Sequence, residues 1–306
     1  MKFEHLSQME TFSLRTLPDL DEVVLAALEL FIRDGVPKLS LGKVKRPLVV
    51  GSGNAAVTGK IIFADTDAVF ADEGTYLDKI KLVDSAFLLS ASGSKHAVTI
   101  AKELKKRKIP TTLVTNVANA PASSYVKKSI VLAKNREPYT YNTSTYMGMI
   151  LAKSGEDPKQ IYNYINRYIK PKIPSFKRYN SYYLQVPPKF DANRELFVTK
   201  FDELFGSVIN GRVFTTEQTK HAKTVVPSKT ECFLSFGVDN KSFGSVRNRV
   251  NFPLPSWAGP ATCMAVVYYV IGHMQKQNPA YFKKHIAAYC RDASKIFGMD
   301  LKPIVE

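Results

Sequence analysis

The sequence predicts a doubly wound α/β fold on a parallel sheet, arranged as two lobes of unequal size. Two observations carry this. Short apolar runs, Arg46 to Gly51, Ala86 to Leu89 and Thr111 to Val114, alternate with stretches of helical spacing, the pattern that places crossover helices between parallel strands. The first two of these runs also exit into turns of glycine and small hydroxyl residues that open directly into a helix.

Taken in order, Asp19 to Ile32 has apolar residues at helical spacing and opens on Asp-Leu-Asp, which predicts an introductory helix. The strand from Arg46 runs into Gly51-Ser-Gly-Asn54, and a short helix follows over Val57 to Phe63. Asp67 to Phe70 reads as a strand and Tyr76 to Ile80 as a short helix. The Ala86 strand, the amphipathic helix that follows its serine turn at once and the Thr111 strand form the next unit. Ile130 to Ala133 is a further strand, and Asn142-Thr-Ser-Thr145 opens a helix with Tyr146, Met147, Ile150 and Leu151 free for burial.

Residues 1–160 are thus expected to form the first lobe. Residues 161–190, rich in Tyr, Lys and Pro, read as a linker wrapping the surface. Residues 191–306 read as a smaller lobe that duplicates the first in degenerate form. It has helices over Asn193 to Ile209, from Trp257 to Met274 and over Tyr281 to Phe297. Its strands fall near Arg212 to Thr215, Cys232 to Phe236 and Asn251 to Leu254.

Forty-three Lys and Arg against 27 Asp and Glu give a net charge of +16 and a pI near 9.6, a field that attracts anions. Hydrophobic residues make up 45% of the chain, and no apolar stretch reaches a bilayer span, so no membrane partner is expected. Met1 to Arg15 lacks an apolar signal core, and three scattered cysteines without metal spacing read as reduced thiols. The expectation is a cytoplasmic protein with neither metal nor cofactor.

The chemistry concentrates in Ser90-Ala-Ser-Gly-Ser-Lys-His96. A helix that starts at the carboxyl end of a strand presents unpaired N–H groups and the positive end of its dipole. Ser90, Ser92 and Ser94 add hydroxyl donors, Gly93 permits close backbone approach, and Lys95 adds a full charge. The ligand this turn suits is a phosphate.

Val49-Val-Gly-Ser-Gly-Asn54, Leu89-Ser-Ala-Ser-Gly-Ser94, Pro110-Thr-Thr-Leu-Val-Thr-Asn116 and Glu137 followed by Asn142-Thr-Ser-Thr145, in this order and spacing, resemble the sugar isomerase (SIS) domain family. The resemblance spans about residues 20–155. It implies a flavodoxin-like three-layer sandwich that binds the phosphate of a phosphosugar. The two-lobe layout is similar to double-domain members that interconvert aldose and ketose phosphates, the phosphoglucose/phosphomannose isomerases and the isomerase domain of glucosamine-6-phosphate synthase. A homodimer is implied as well. The ligands so implied are Ser90, Ser92 and Thr143 or Thr145, with Gly51, Ser52, Gly53 and Asn54 forming the first bend. The three bends are expected to converge on one pocket. The chain departs from the family pattern at Ala55, at Ser94 and Lys95, and in having no histidine soon after Glu231.

Isomerisation needs a carboxylate of raised pKa as base and a group that opens the sugar ring. Glu217 and His221 are the sequence's candidates for those roles. His96 adjoins the turn. His273 reads as a core histidine, and His5 and His285 carry no signal. Binding without turnover, as a sugar-phosphate sensor or regulator, is the alternative that the departures suggest. A dinucleotide site is a further alternative, because Gly51-x-Gly53-x-x-Ala56 with Asp72 fits that fingerprint, although it leaves the serine turn without a role. The Tyr- and Lys-rich stretch Tyr162 to Tyr183 has the composition of a single-strand binder, but nucleic acid is not expected as a partner, since a sheet-surface aromatic motif and a zinc knuckle are lacking.

Overall fold

A computed structural model describes residues 2–42 and 44–306. In chain order it opens with α1 (Glu4–Thr11) and α2 (Leu20–Asp34). A first sheet region follows: β1 (Pro47–Val50), α3 (Asn54–Ile62), β2 (Val69–Ala71), α4 (Tyr76–Lys79), β3 (Ser85–Leu89), α5 (His96–Lys106), β4 (Thr111–Thr115) and β5 (Lys128–Val131). Then come β6 (Glu137–Pro138), α6 (Thr143–Ser154), α7 (Pro158–Tyr164), β7 (Ser181–Val186), α8 (Arg194–Phe205), β8 (Asn210–Thr215), α9 (Thr216–Thr219), β9 (Glu231–Phe236) and β10 (Arg249–Phe252). The chain closes with α10 (Pro260–Gln277), α11 (Tyr281–Phe297) and β11 (Ile304–Val305).

The chain divides into two compact units. One comprises Asp34–Lys134 and Thr145–Gly155 and holds a parallel five-stranded sheet in the order β2-β1-β3-β4-β5. Side chains alternate across a strand, so Leu48, Val50, Ala86 and Leu88 share one face. They pack there with Ala97, Ile100, Ala101 and Leu104 of α5. The opposite face carries α3: Gly59 lies over Val49 and Leu89, and the Phe63 ring sits 4.8 Å from that of Phe87. Helices on both faces of a parallel sheet give the three layers that the sequence predicts.

The other unit comprises Met1–Arg33, Asn135–Ser144 and Glu156–Glu306. Its parallel sheet runs β10-β9-β7-β8, which is the first sheet's order without a fifth strand. The duplication expected of the second lobe is therefore visible in the topology. A two-stranded antiparallel ribbon pairs β11 with β6.

Besides residues 135–144 and 156–160, which fall with the second sheet and not the first, the boundaries differ from the expected ones in two places. Residues 1–33 belong with the second sheet, because α2 packs against α10. Gly272 has no side chain where the Asp21 backbone passes, the Leu20 N–H donates to Gln275 Oε1 at 2.9 Å, and Lys276 pairs with Asp21 at 2.8 Å. The stretch 161–190, expected to be a linker, holds β7, hydrogen-bonded between β8 and β9, with Tyr182, Tyr183 and Leu184 at most 1% exposed. Lysines and prolines flank this strand on both sides, and tyrosines that read as surface aromatics fill the core instead. Among the described residues no helix is long and apolar enough to cross a membrane.

Candidate functional site

In a 2-1-3-4-5 sheet the crossovers leave β1 and β3 in opposite directions, so a crevice opens between the carboxyl ends of those two strands. The strands are adjacent and in register from Pro47 opposite Ser85 to Val50 opposite Leu88. Gly51 to Asn54 leaves the first and Ser90 to Lys95 leaves the second, so topology brings these two predicted bends to one edge of the sheet.

Both bends end in the same way. Gly53 precedes α3 with φ 53° and ψ −129°, and Lys95 precedes α5 with φ 52° and ψ −120°; neither helix has a side-chain cap. The N–H groups of Gly53, Asn54, Lys95 and His96 find no acceptor among the described residues. These are the orphan donors of two helix starts, each at the positive end of its dipole. The serine turn is built from within. The Gly93 N–H donates to Ser90 Oγ at 3.1 Å, and the Ser92 and Ser94 hydroxyls lie 2.7 Å apart. Thr115 Oγ1 and the Asn116 N–H both hold the Ala91 carbonyl at 2.9 Å. Gly93 has φ +57°, and a Cβ there would fall 2.5 Å from the Cβ of Ala120, so no other residue fits without displacing the loop. Ser92, Lys95 and His96 are exposed, and Ala55 is buried beneath the first bend. The Ser52 hydroxyl donates to Glu73 at 3.0 Å, which commits it to a carboxylate.

Thr143 and Thr145 are 0% and 3% exposed. The start of α6 already holds an anion: Glu137 accepts the N–H groups of Thr143 at 2.6 Å and Ser144 at 2.7 Å. Burial raises the Glu137 pKa, and its bonds to Ser144 and Thr143 oppose that rise. The Thr143 hydroxyl is buried without a partner. Asp72, the acidic residue of the dinucleotide fingerprint, closes its own turn by accepting from Gly74 at 3.0 Å and Thr75 at 2.9 Å. That carboxylate is thereby engaged in its own turn, and the strand order is flavodoxin-like.

In the unit that carries the second sheet, the described residues between β9 and β10 form a loop and one 3-10 turn in place of an α-helix. Glu217 and His221 are placed on and just after the four-residue α9. Glu217 is 61% exposed and paired with Lys220 at 2.9 Å, and His221 is exposed. Glu231 is buried and taken by Arg212 at 2.6 Å and by the Ser181 hydroxyl at 3.2 Å.

Glu203, on which sequence reasoning was silent, is a further carboxylate that the fold desolvates. It lines a cavity of 550 Å³ with Thr140, Phe282, Tyr281, His285 and Tyr289. Burial raises its pKa, and the charge of Lys200 opposes the rise. Lys200 is fully buried, and its Nζ donates to Glu203 Oε2 at 2.6 Å and to the carbonyls of Thr140 at 3.2 Å and Tyr141 at 3.0 Å. The sequence does carry a signal for this pair. Lys200 follows Phe197 by three residues and precedes Leu204 by four, so it falls on the apolar stripe of its helix, where an unpaired charge is not tolerated. His285, silent in the sequence, reaches the same cavity wall from α11.

No family profile matches the sequence, and no curated protein matches it. Solved structures do. Glucosamine-6-phosphate deaminase of Thermotoga maritima superposes with a TM-score of 0.62 at 15% identity, over 84% of this chain and 92% of that one. Tagatose-6-phosphate ketose/aldose isomerase of Escherichia coli gives 0.56 at 11% identity, over 91% and 94%. The C-terminal domain of glucosamine-fructose-6-phosphate aminotransferase from Francisella tularensis gives 0.54 at 11%, over 89% and 93%. At such identities the likeness is one of fold, and it extends through both sheets. The chain has the fold of the double SIS domain, two parallel sheets flanked by helices.

Proposed function

We propose that this protein binds a phosphorylated sugar and interconverts its aldose and ketose forms. The observation that carries the reading is the pair of uncapped helix starts at the β1/β3 crevice, with free N–H groups, the hydroxyls of Ser90, Ser92 and Ser94, and the Lys95 ammonium. Backbone donors at a helix start suit a doubly charged oxyanion, and an ammonium supplies a further charge-assisted contact. The names of the three proteins of like fold each carry a sugar 6-phosphate, which supports that ligand class.

The chemistry asks for a base that takes a proton from the carbon beside the carbonyl and returns it to the neighbouring carbon, with no net oxidation. A carboxylate of raised pKa inside a cavity meets that need. Glu203, whose pKa burial raises, meets the burial part of that need, whereas Glu217 is exposed and paired with Lys220.

Thermal denaturation with fructose 6-phosphate and with fructose tests binding. A rise in Tm with the phosphate alone is expected, and its loss in Lys95→Ala and Ser92→Ala ties it to the turn. Absence of any shift at millimolar ligand overturns the reading for hexose 6-phosphates. Turnover is tested by deuterium exchange at C1 and C2 in D₂O. Exchange that Glu203→Gln abolishes and Glu217→Gln leaves intact supports the assignment; the reverse pattern restores Glu217. Binding without exchange makes the protein a sensor.

A further inference from the structure

Between Asp157 and Asp191 the chain carries seven cations and no carboxylate, a stretch that phosphosugar chemistry leaves unused. Its first part is a helix that changes pitch. α7 runs into a π-helical turn over Ile165–Ile169, a widening that recurs at functional sites. Ile161, Ile165 and Ile169, four residues apart, are fully buried and anchor this segment. Tyr164 and Tyr168 share that spacing, one step back, and so lie together beside the anchored stripe. Their rings stand 5.0 Å apart at 36°. Trp257, from the loop before α10, meets Tyr164 edge-on at 5.9 Å. The guanidinium of Arg167 lies over Tyr168 at 5.3 Å. Tyr168 is 44% exposed and Trp257 37%, so both offer ring surface to solvent.

The nearby carboxylates are engaged. Glu156 accepts from Gly259, Ala261 and Thr262 at the start of α10, and Asp157 caps α7. Lys172 lines a cavity of 350 Å³ together with Gly237, Val238, Asn251, Pro253 and Leu254; Asp239, the acidic group there, pairs with Lys241.

We propose that Tyr164, Tyr168 and Trp257, with Arg167 and Lys172, form a binding surface for single-stranded nucleic acid. The partly exposed rings of Tyr168 and Trp257, with cations beside them, offer ring surface to bases and charge to phosphates. An acidic peptide satisfies the cations but leaves the rings idle, and a neutral sugar does the converse. A single strand uses both.

Trp257 is the only tryptophan, so its fluorescence reports the surface directly. The full chain is titrated with a twelve-nucleotide oligo(dT), with poly-glutamate and with fructose 6-phosphate, at several salt concentrations. Saturable quenching by the oligonucleotide is expected, with log K falling about two per decade of salt for three engaged phosphates. Tyr168→Ala should weaken binding roughly tenfold with Tm unchanged, read by anisotropy of a labelled strand. Quenching that poly-glutamate matches, quenching by the sugar phosphate in place of the strand, or no response to the strand each overturns the proposal. Failure of the strand to bind leaves the phosphosugar reading untouched, since that reading uses the serine turn and is tested there by Lys95→Ala and Ser92→Ala.

Discussion

Gly53 and Lys95 hold nearly the same backbone conformation, φ 53° with ψ −129° and φ 52° with ψ −120°, each one residue before a helix that rises from adjacent strands of one sheet. For glycine this region is open. For lysine it is sparsely populated and costs on the order of 1–3 kcal/mol. The two helix starts are thus built alike, and one of them holds strain together with a charge.

Lys95→Gly should therefore stabilise the protein while harming the site. Relief of strain outweighs the added freedom of glycine in the unfolded chain, for a net gain of about 1 kcal/mol. Loss of the ammonium should weaken phosphate binding roughly tenfold. Urea denaturation and a sugar-phosphate titration of the same variant should move in opposite directions.

Gly93→Ala is expected to damage both properties. Its Cβ would lie 2.5 Å from that of Ala120 at a backbone φ of +57°, and the Gly93 carbonyl accepts the Ala122 N–H at 2.9 Å. Overpacking and strain together should cost about 2–4 kcal/mol, visible as a lower urea midpoint with unchanged slope.

Burial holds the Glu203 pKa above its ordinary 4.5, so the acid limb of the pH–rate profile should lie above the usual carboxylate range. Only the ionised form accepts a proton, so the rate should rise with pH through that value. Lys200→Met removes the charge that opposes burial and should move the limb to still higher pH. It should also lower stability by about 3 kcal/mol, since it breaks a buried pair. For stability the sign is opposite to that of the rate. The folded chain binds this proton more tightly than the unfolded chain, so the contribution of Glu203 is full below pH 4.5 and is lost as pH rises through its folded value.

Glu156 accepts the Gly259, Ala261 and Thr262 N–H groups at 2.9 Å each and the Thr262 hydroxyl at 2.5 Å, satisfying the start of α10 with a single side chain. Glu156→Ala should cost about 2–3 kcal/mol and Glu156→Gln less, measured by thermal unfolding.

Local pattern alone fixed the first sheet and the serine turn. Apolar runs of four or five residues separated by an amphipathic helix allow few arrangements, and a glycine between hydroxyl residues at a strand exit marks an anion-ready bend. The exchange of 1–33 into the other unit was not legible, because it depends on Gly272 letting α2 approach α10, a contact between segments some 250 residues apart. Strand β7 was hidden for a related reason: Tyr182 and Tyr183 suit core and surface equally, and only pairing with β8 and β9 decides between them. Desolvation belongs to the fold in the same way. Glu217 and Glu203 are the same residue type on helices of the same lobe, and what separates them is the solvent around the first and the buried Lys200 beside the second.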